Sequence, residues 1–148
     1  MPAPAPPKPA PAAAPAEPAT LGEIFGQPDK KNWTPAEVIP RTASLPGVAG
    51  ALLAMQDGLL VNSQLPPNLR GETMAAFLPQ VFGRLNQYTK EIQLGEPSSI
   101  EVRVGGVPFA IFKSGNIYFA VLGRAGESLP EAQLQIIATQ LGRQSGSE

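Results

Sequence analysis

The chain of 148 residues contains no cysteine and no histidine. The first absence excludes a disulfide framework and thiolate chemistry. The second removes the commonest general base and the commonest transition-metal ligand. Net charge is almost lacking as well: 11 basic residues against 12 acidic ones leave −1, too little for broad attraction to nucleic acid or acidic lipid. The basic residues, among them Arg41, Arg70, Arg84, Arg103 and Arg124, are scattered and have no aromatic residues interleaved, which argues against a nucleic-acid partner. No apolar run is long enough for a membrane helix. The most apolar stretch, GVAGALLAMQDGLLV from Gly47 to Val61, is shorter than the ~20 residues required and is broken by Gln56 and Asp57. The N-terminus lacks the basic-then-apolar order of a secretory signal, so a cytoplasmic location without a membrane partner is expected.

Catalytic motifs are missing too. There is no GxxxxGK[ST] loop and no GxSxG elbow. GVAG reads as the start of a strand and VGGV as a turn, and neither opens a helix as a phosphate site requires. The carboxylates Glu37, Asp57, Glu72, Glu91, Glu96, Glu101, Glu127 and Glu131 fall at expected caps, turns and solvent faces, with no neighbouring pair on one apolar-lined element. No catalytic, cofactor-binding or metal-binding residues are therefore expected, and the protein reads as a non-enzyme.

What is present divides into four stretches. Residues 1–20 are almost wholly Pro and Ala and read as a disordered linker leaning to polyproline II, dispensable for folding; PAPPKP within it also has the spacing of a proline-motif ligand. Residues 21–33 form an apolar arm, with Leu21, Ile24, Phe25 and Trp33, expected to pack on its own domain rather than dock on a partner. A domain over 34–142 and a polar tail over 143–148 complete the chain.

The domain opens with TPAE, a capping box from Thr34 to Glu37 with Pro35 at the first helical position and Trp33 placed to staple on Val38. Pro40 should bend this short helix. Asp57-Gly58 favours a type I′ turn joining strands of about Val48–Gln56 and Leu59–Gln64, apolar on both faces and so placed in a covered sheet. A long helix follows from Gly71 to about Ile92. Met74, Phe77, Leu78, Val81, Phe82, Leu85, Tyr88 and Ile92 form a stripe at helical spacing that reads as core. The opposite side, Ala76, Gln80, Gly83 and Gln87, is small and uncharged, as close contact with another helix would need. Pro79 should bend the helix. Three strands come next: Ser99–Val104, alternating with Glu101 and Arg103 towards solvent; Val107–Lys113 after a Gly105-Gly106 turn; and Asn116–Gly123 after Ser114-Gly115. A second capping box, Ser128 to Glu131, starts a last helix ending near Leu141 at Gly142. The fold class is α+β: an antiparallel sheet with the long helix on one face and terminal helices on the other.

LPGVAGALLAMQDGLLV, the helix with ETMAAFLPQVFGRLNQ, LGEPSSIEVRV and GNIYFAVLG, in that order, resemble the Roadblock family. The likeness runs from about Thr34 to Leu141. It rests on the Gly47-Val48 entry, the Asp57-Gly58 hairpin, Ala75-Ala76, and Leu94-Gly95-Glu96. That family includes dynein light-chain Roadblock proteins and the bacterial mutual-gliding protein B class of GTPase regulators. The resemblance implies a profilin-like Roadblock fold with five strands in the order 2-1-5-4-3. It implies a homodimer with long helices side by side and third strands edge to edge, which would use Ala76, Gln80, Gly83 and Gln87 on the helix and Ile100, Val102 and Val104 on the strand. It also implies a small Ras-like GTPase as partner, bound by a regulator that holds the switch segments in one conformation; Arg84 is the cation placed to touch it. A structural adaptor joining a larger complex is the second reading. A small-molecule sensor is the third, and it is opposed by large apolar residues expected inside, namely Phe77, Phe82 and Phe109.

Overall fold

The computed structural model describes residues 21–27, 29–30 and 32–146. The Pro/Ala linker over 1–20 and the end of the polar tail lie outside the described residues. The elements are α1 (Leu21–Ile24), α2 (Pro35–Ala43), β1 (Val48–Met55), β2 (Leu60–Gln64), α3 (Gly71–Glu91), β3 (Ser99–Val104), β4 (Val107–Ser114), β5 (Ile117–Gly123) and α4 (Glu131–Gly146). The five strands form one antiparallel sheet in the order β2-β1-β5-β4-β3, as expected.

Alternation along the strands builds two apolar layers. Ala51 and Leu53 of β1, Ile117, Phe119 and Val121 of β5, and Ala110 and Phe112 of β4 face Val38 and Ile39 of α2 and Leu134, Ile137 and Leu141 of α4. The intervening residues Leu52, Ala54, Tyr118, Ala120 and Ile111 face Ala75, Leu78 and Phe82 of α3. The apolar arm packs on the first layer: Leu21 and Trp33 are buried there, with Ile24 and Phe25 half-buried beside them. Glu37 closes its side of the capping box by accepting the Thr34 N–H at 3.0 Å and pairs with Lys30 at 3.2 Å. The Thr34 bond first, and Lys30 second, hold its carboxyl below the usual range. α2 continues as helix through Pro40, and α3 through Pro79.

Several local expectations change. At the first hairpin only Gly58 has positive φ (+91°), and Asp57 does not. The Gly58 N–H donates to the Met55 carbonyl and the Met55 N–H to the Leu59 carbonyl. That is a three-residue loop with glycine in the left-handed position, not a type I′ turn. The type I′ geometry occurs instead at Gly105-Gly106, both with positive φ. Gly142 does not end the last helix, which runs to Gly146. Its missing side chain serves a close approach: a Cβ there would lie 2.8 Å from the Ser114 carbonyl oxygen. Glu101 is exposed, as expected, but Glu131 at the start of α4 comes close enough to raise its pKa, so the fold brings together two carboxylates that sequence spacing keeps apart.

Candidate functional site

With 3.6 residues per turn, lines along a helix that differ by one residue in register lie about 100° apart. On α3 the line through Ala75, Leu78 and Phe82 is buried against the sheet. The line through Phe77, Val81 and Tyr88 is not: these side chains are 54%, 43% and 55% exposed, and Ile92 just beyond the helix is 66% exposed. The single stripe expected as core is thus two stripes, one in the core and one open. Phe77 therefore fills no interior position, whereas Phe82 is buried in the α3 layer and Phe109 is half-buried against that layer. Ala76, Gln80, Gly83 and Gln87 form a third line, exposed throughout. Arg84 is exposed at the border between this small uncharged line and the apolar one.

The orientation of α3 decides what each line overlooks. The helix lies chiefly over β1 and β2. At the tip of the first hairpin, a Cβ on Gly58 would be 3.4 Å from Ala76 Cα and from Pro79 Cγ, so this flank of the helix faces the end of the sheet where the hairpin turns lie. Further along the same flank, Gly83, Asn86, Lys113 and Tyr118 line a cavity of about 170 Å³. Burial pushes the Tyr118 phenol up in pKa. The apolar line of Phe77, Val81 and Tyr88 is on the other flank and looks over the uncovered part of the sheet, where Val102 and Val104 of β3 stand 43% and 64% exposed. Ile100 is half-buried against the α3 layer.

The two sheet edges differ. β2 pairs irregularly with β1: Leu53 meets Asn62 and Ala54 meets Leu60, leaving Val61 as an extra residue. A bulge of this kind twists an edge and blunts further pairing. β3 pairs with β4 in unbroken register from Ser99–Phe112 to Val104–Val107. It contains no proline and no bulge, so its outer edge presents a regular row of backbone donors and acceptors. An open strand edge and an open apolar helix flank therefore border the same uncovered sheet surface.

Among the described residues no group of carboxylates could hold a metal ion, and no helix is long and apolar enough to cross a membrane. The site residues expected from the sequence fall into two sets: the β3 residues adjoin the open sheet surface, and the Ala76–Gln87 line faces outward. Phe77, Val81 and Tyr88, expected as core, are exposed, because helical periodicity marks an apolar face without saying what buries it.

The model of the Roadblock/LC7 domain matches residues 35–123 of the chain. No curated protein matches it in sequence. Among solved structures, Myxococcus xanthus MglB is 17% identical with a TM-score of 0.64, covering 73% of this chain and 91% of that one. A Roadblock/LC7 domain from Streptomyces avermitilis is 16% identical with a TM-score of 0.63, covering 74% of this chain and 95% of that one. The gliding protein MglB from Thermus thermophilus is 12% identical with a TM-score of 0.61, covering 77% and 95%. At these identities the likeness is one of fold. The matched region leaves out α1, the rest of the arm and α4.

Proposed function

Because the chain belongs to the Roadblock/LC7 domain family, we propose that it acts as a non-enzymatic homodimer that binds a small Ras-like GTPase and changes its nucleotide cycle. The observation that carries the reading is the continuity of the straight β3 edge with the exposed apolar flank of α3. Pairing two β3 edges about a two-fold axis makes one continuous sheet. It also brings the α3 helix of each protomer over the open sheet surface beside its partner, where Phe77, Val81, Tyr88, Val102 and Val104 are covered. The contact is self-complementary, as two-fold symmetry demands. We place the self-contact on this apolar line, since removing apolar area from water is its driving force. The outward line of Ala76, Gln80, Gly83 and Gln87 then remains on the dimer surface, with Arg84 at its border, and offers the GTPase a small uncharged face that a backbone can approach.

The protein brings no phosphate-cradling glycine loop and no histidine, so its influence on hydrolysis or exchange is conformational. It binds one arrangement of the GTPase switch segments better than the other and shifts their populations. The test is to mix the dimer with purified small Ras-like GTPases from the same organism and measure hydrolysis and exchange. Arg84→Ala is expected to leave the dimer intact and to weaken the coupling about tenfold, the ~1.4 kcal/mol typical of one good interface arginine. Arg84→Glu should weaken it further. A wild-type dimer that neither binds the GTPase nor alters its turnover, yet assembles with other proteins, would establish the adaptor reading instead.

A further inference from the structure

Strand β3 reads Ser99, Ile100, Glu101, Val102, Arg103, Val104. Ile100 packs on the α3 layer, so by alternation Val102 and Val104 share its face, and Glu101 and Arg103 share the other. The nearness of Glu101 to Glu131 of α4, on the side of the sheet away from α3, agrees. The backbone alternates as well. The Ser98 carbonyl accepts the Lys113 N–H of β4 at 2.9 Å, and the pairing runs unbroken to Val104–Val107. Ile100, Val102 and Val104 therefore direct their N–H and C=O groups at β4, while Ser99, Glu101 and Arg103 direct theirs at the open edge. The two charged side chains thus stand on residues whose backbone is free to pair. Both are exposed, and among the described residues neither takes part in an ion pair. Glu101 is pressed by a like charge: Glu131 raises its pKa, with Arg103 of the same chain only partly opposing.

We propose that two copies of the chain join their β3 strands in a single antiparallel register, with Val102 on the two-fold axis, Glu101 opposite the partner's Arg103 and Arg103 opposite the partner's Glu101. The inference rests on the dimer proposed above and fixes the alignment that dimer uses. A two-fold axis normal to the sheet keeps both α3 helices on one side, so residues opposite each other must come from the same face. Only alignments that set odd-numbered residues against odd-numbered ones meet that condition, and those are the residues with free backbone groups. Few such alignments exist. An axis through Glu101 puts two glutamates face to face, and one through Arg103 does the same with two arginines. An axis through Ile100 leaves Arg103 opposite Pro97, which has no N–H to give. One through Val104 runs each strand into the Gly105-Gly106 turn. The axis through Val102 alone matches both charges with opposite ones and exchanges backbone hydrogen bonds at both pairs. Opposite charges directly across an antiparallel pair stabilise it, and like charges destabilise it. The same alignment lays Ile100 against the partner's Val104 on the α3 side, so the charged face and the apolar face agree. It also brings each crowded Glu101 a cation from outside its own chain.

The chain has no cysteine, so Val102→Cys introduces a single thiol. In this register two such thiols meet on the axis at a non-hydrogen-bonded pair, where Cα atoms stand ~4.5 Å apart, within reach of a disulfide. Mild oxidation of the full-length variant should therefore yield a covalent dimer. Ile100→Cys should not cross-link, because its two copies are offset by roughly 13 Å along the strands. The charges are tested separately. Glu101→Arg and Arg103→Glu should each weaken self-association about tenfold or more in analytical ultracentrifugation, with folding verified by circular dichroism. Mixed in equal amounts, the two variants should associate with each other as tightly as the wild type does with itself, since every opposed pair is then a cation and a carboxylate. Cross-linking at Ile100→Cys and not at Val102→Cys would overturn the register and leave the dimer standing. So would single charge variants that self-associate like the wild type. A dimer in light scattering that cross-links at neither position would overturn the β3 contact. A wild-type protein that stays monomeric would remove the dimer itself, and the register with it.

Discussion

Val81→Glu is expected to turn the dimer into a monomer, while Gly83→Glu leaves the dimer assembled. In a single protomer Val81 is 43% exposed, so a glutamate there reaches water and the isolated fold is hardly affected. In the proposed dimer the same position is covered by the partner's helix and sheet, and the carboxylate is buried without a cation. Leaving a charge buried and unpaired costs roughly 3–5 kcal/mol, and two-fold symmetry imposes the cost twice. Self-association should weaken by more than about a thousandfold. Gly83 stands on the outward line with no atom within 4 Å of the position a Cβ would take, so a glutamate there stays in water in either state. Light scattering of both variants, with circular dichroism melts to verify folding, decides the matter. A wild-type protein that is monomeric at micromolar concentration removes the dimer. Dissociation by Gly83→Glu and not by Val81→Glu would move the self-contact to the line of Ala76, Gln80, Gly83 and Gln87.

The parts of the fold legible in sequence were those decided locally or by alternation. The Thr34–Glu37 cap and the strands around Asp57-Gly58, Gly105-Gly106 and Gly115 follow from side-chain chemistry within a few residues. The strand order came through resemblance, and the observed sheet has it. The surface was less legible, for a physical reason. Phe77 and Phe82 carry the same apolar signal at helical spacing, but one is exposed and the other buried. Periodicity reports that a face avoids water and is silent on whether its own sheet or another molecule covers it. The approach of Glu131 to Glu101 joins residues far apart in sequence, so no spacing rule announces it. Asp57 misled because the loop has three residues: one glycine in the left-handed region closes the hairpin, and the aspartate instead accepts the Leu59 N–H at 3.1 Å.

Gly142→Ala should destabilise the fold, whereas Gly83→Ala should stabilise it, although both replace a glycine inside a helix. Intrinsic propensity alone favours alanine by up to about 1 kcal/mol at either position. At Gly83 nothing opposes that gain, because the added methyl meets no atom within 4 Å. At Gly142 the methyl would stand 2.6 Å from Ser114 Cβ and 2.8 Å from the Ser114 carbonyl oxygen, closer than a real Cβ approaches backbone. The turn is held from the other side too: a Cβ on Gly115 would lie 2.9 Å from the Gly142 carbonyl oxygen. Helix α4 and the β4–β5 turn therefore touch backbone to backbone, and neither can withdraw without lifting Leu141, which is buried in the first layer. Overpacking of this kind costs ~1–3 kcal/mol, and the shared backbone contact puts Gly142→Ala at the upper end. After subtracting the propensity gain, a net loss of about 2 kcal/mol remains, which lowers the melting temperature by roughly 5 °C or more in a chain of this size. Gly83→Ala should raise it by a degree or two. Both are read by thermal melts at one fixed protomer concentration, since a dimer's melting point depends on it. Adding Ser114→Gly to Gly142→Ala removes the Cβ contact but leaves the carbonyl contact, and should recover only part of the loss. Equal stabilisation by both alanines would show that α4 does not approach the turn this closely.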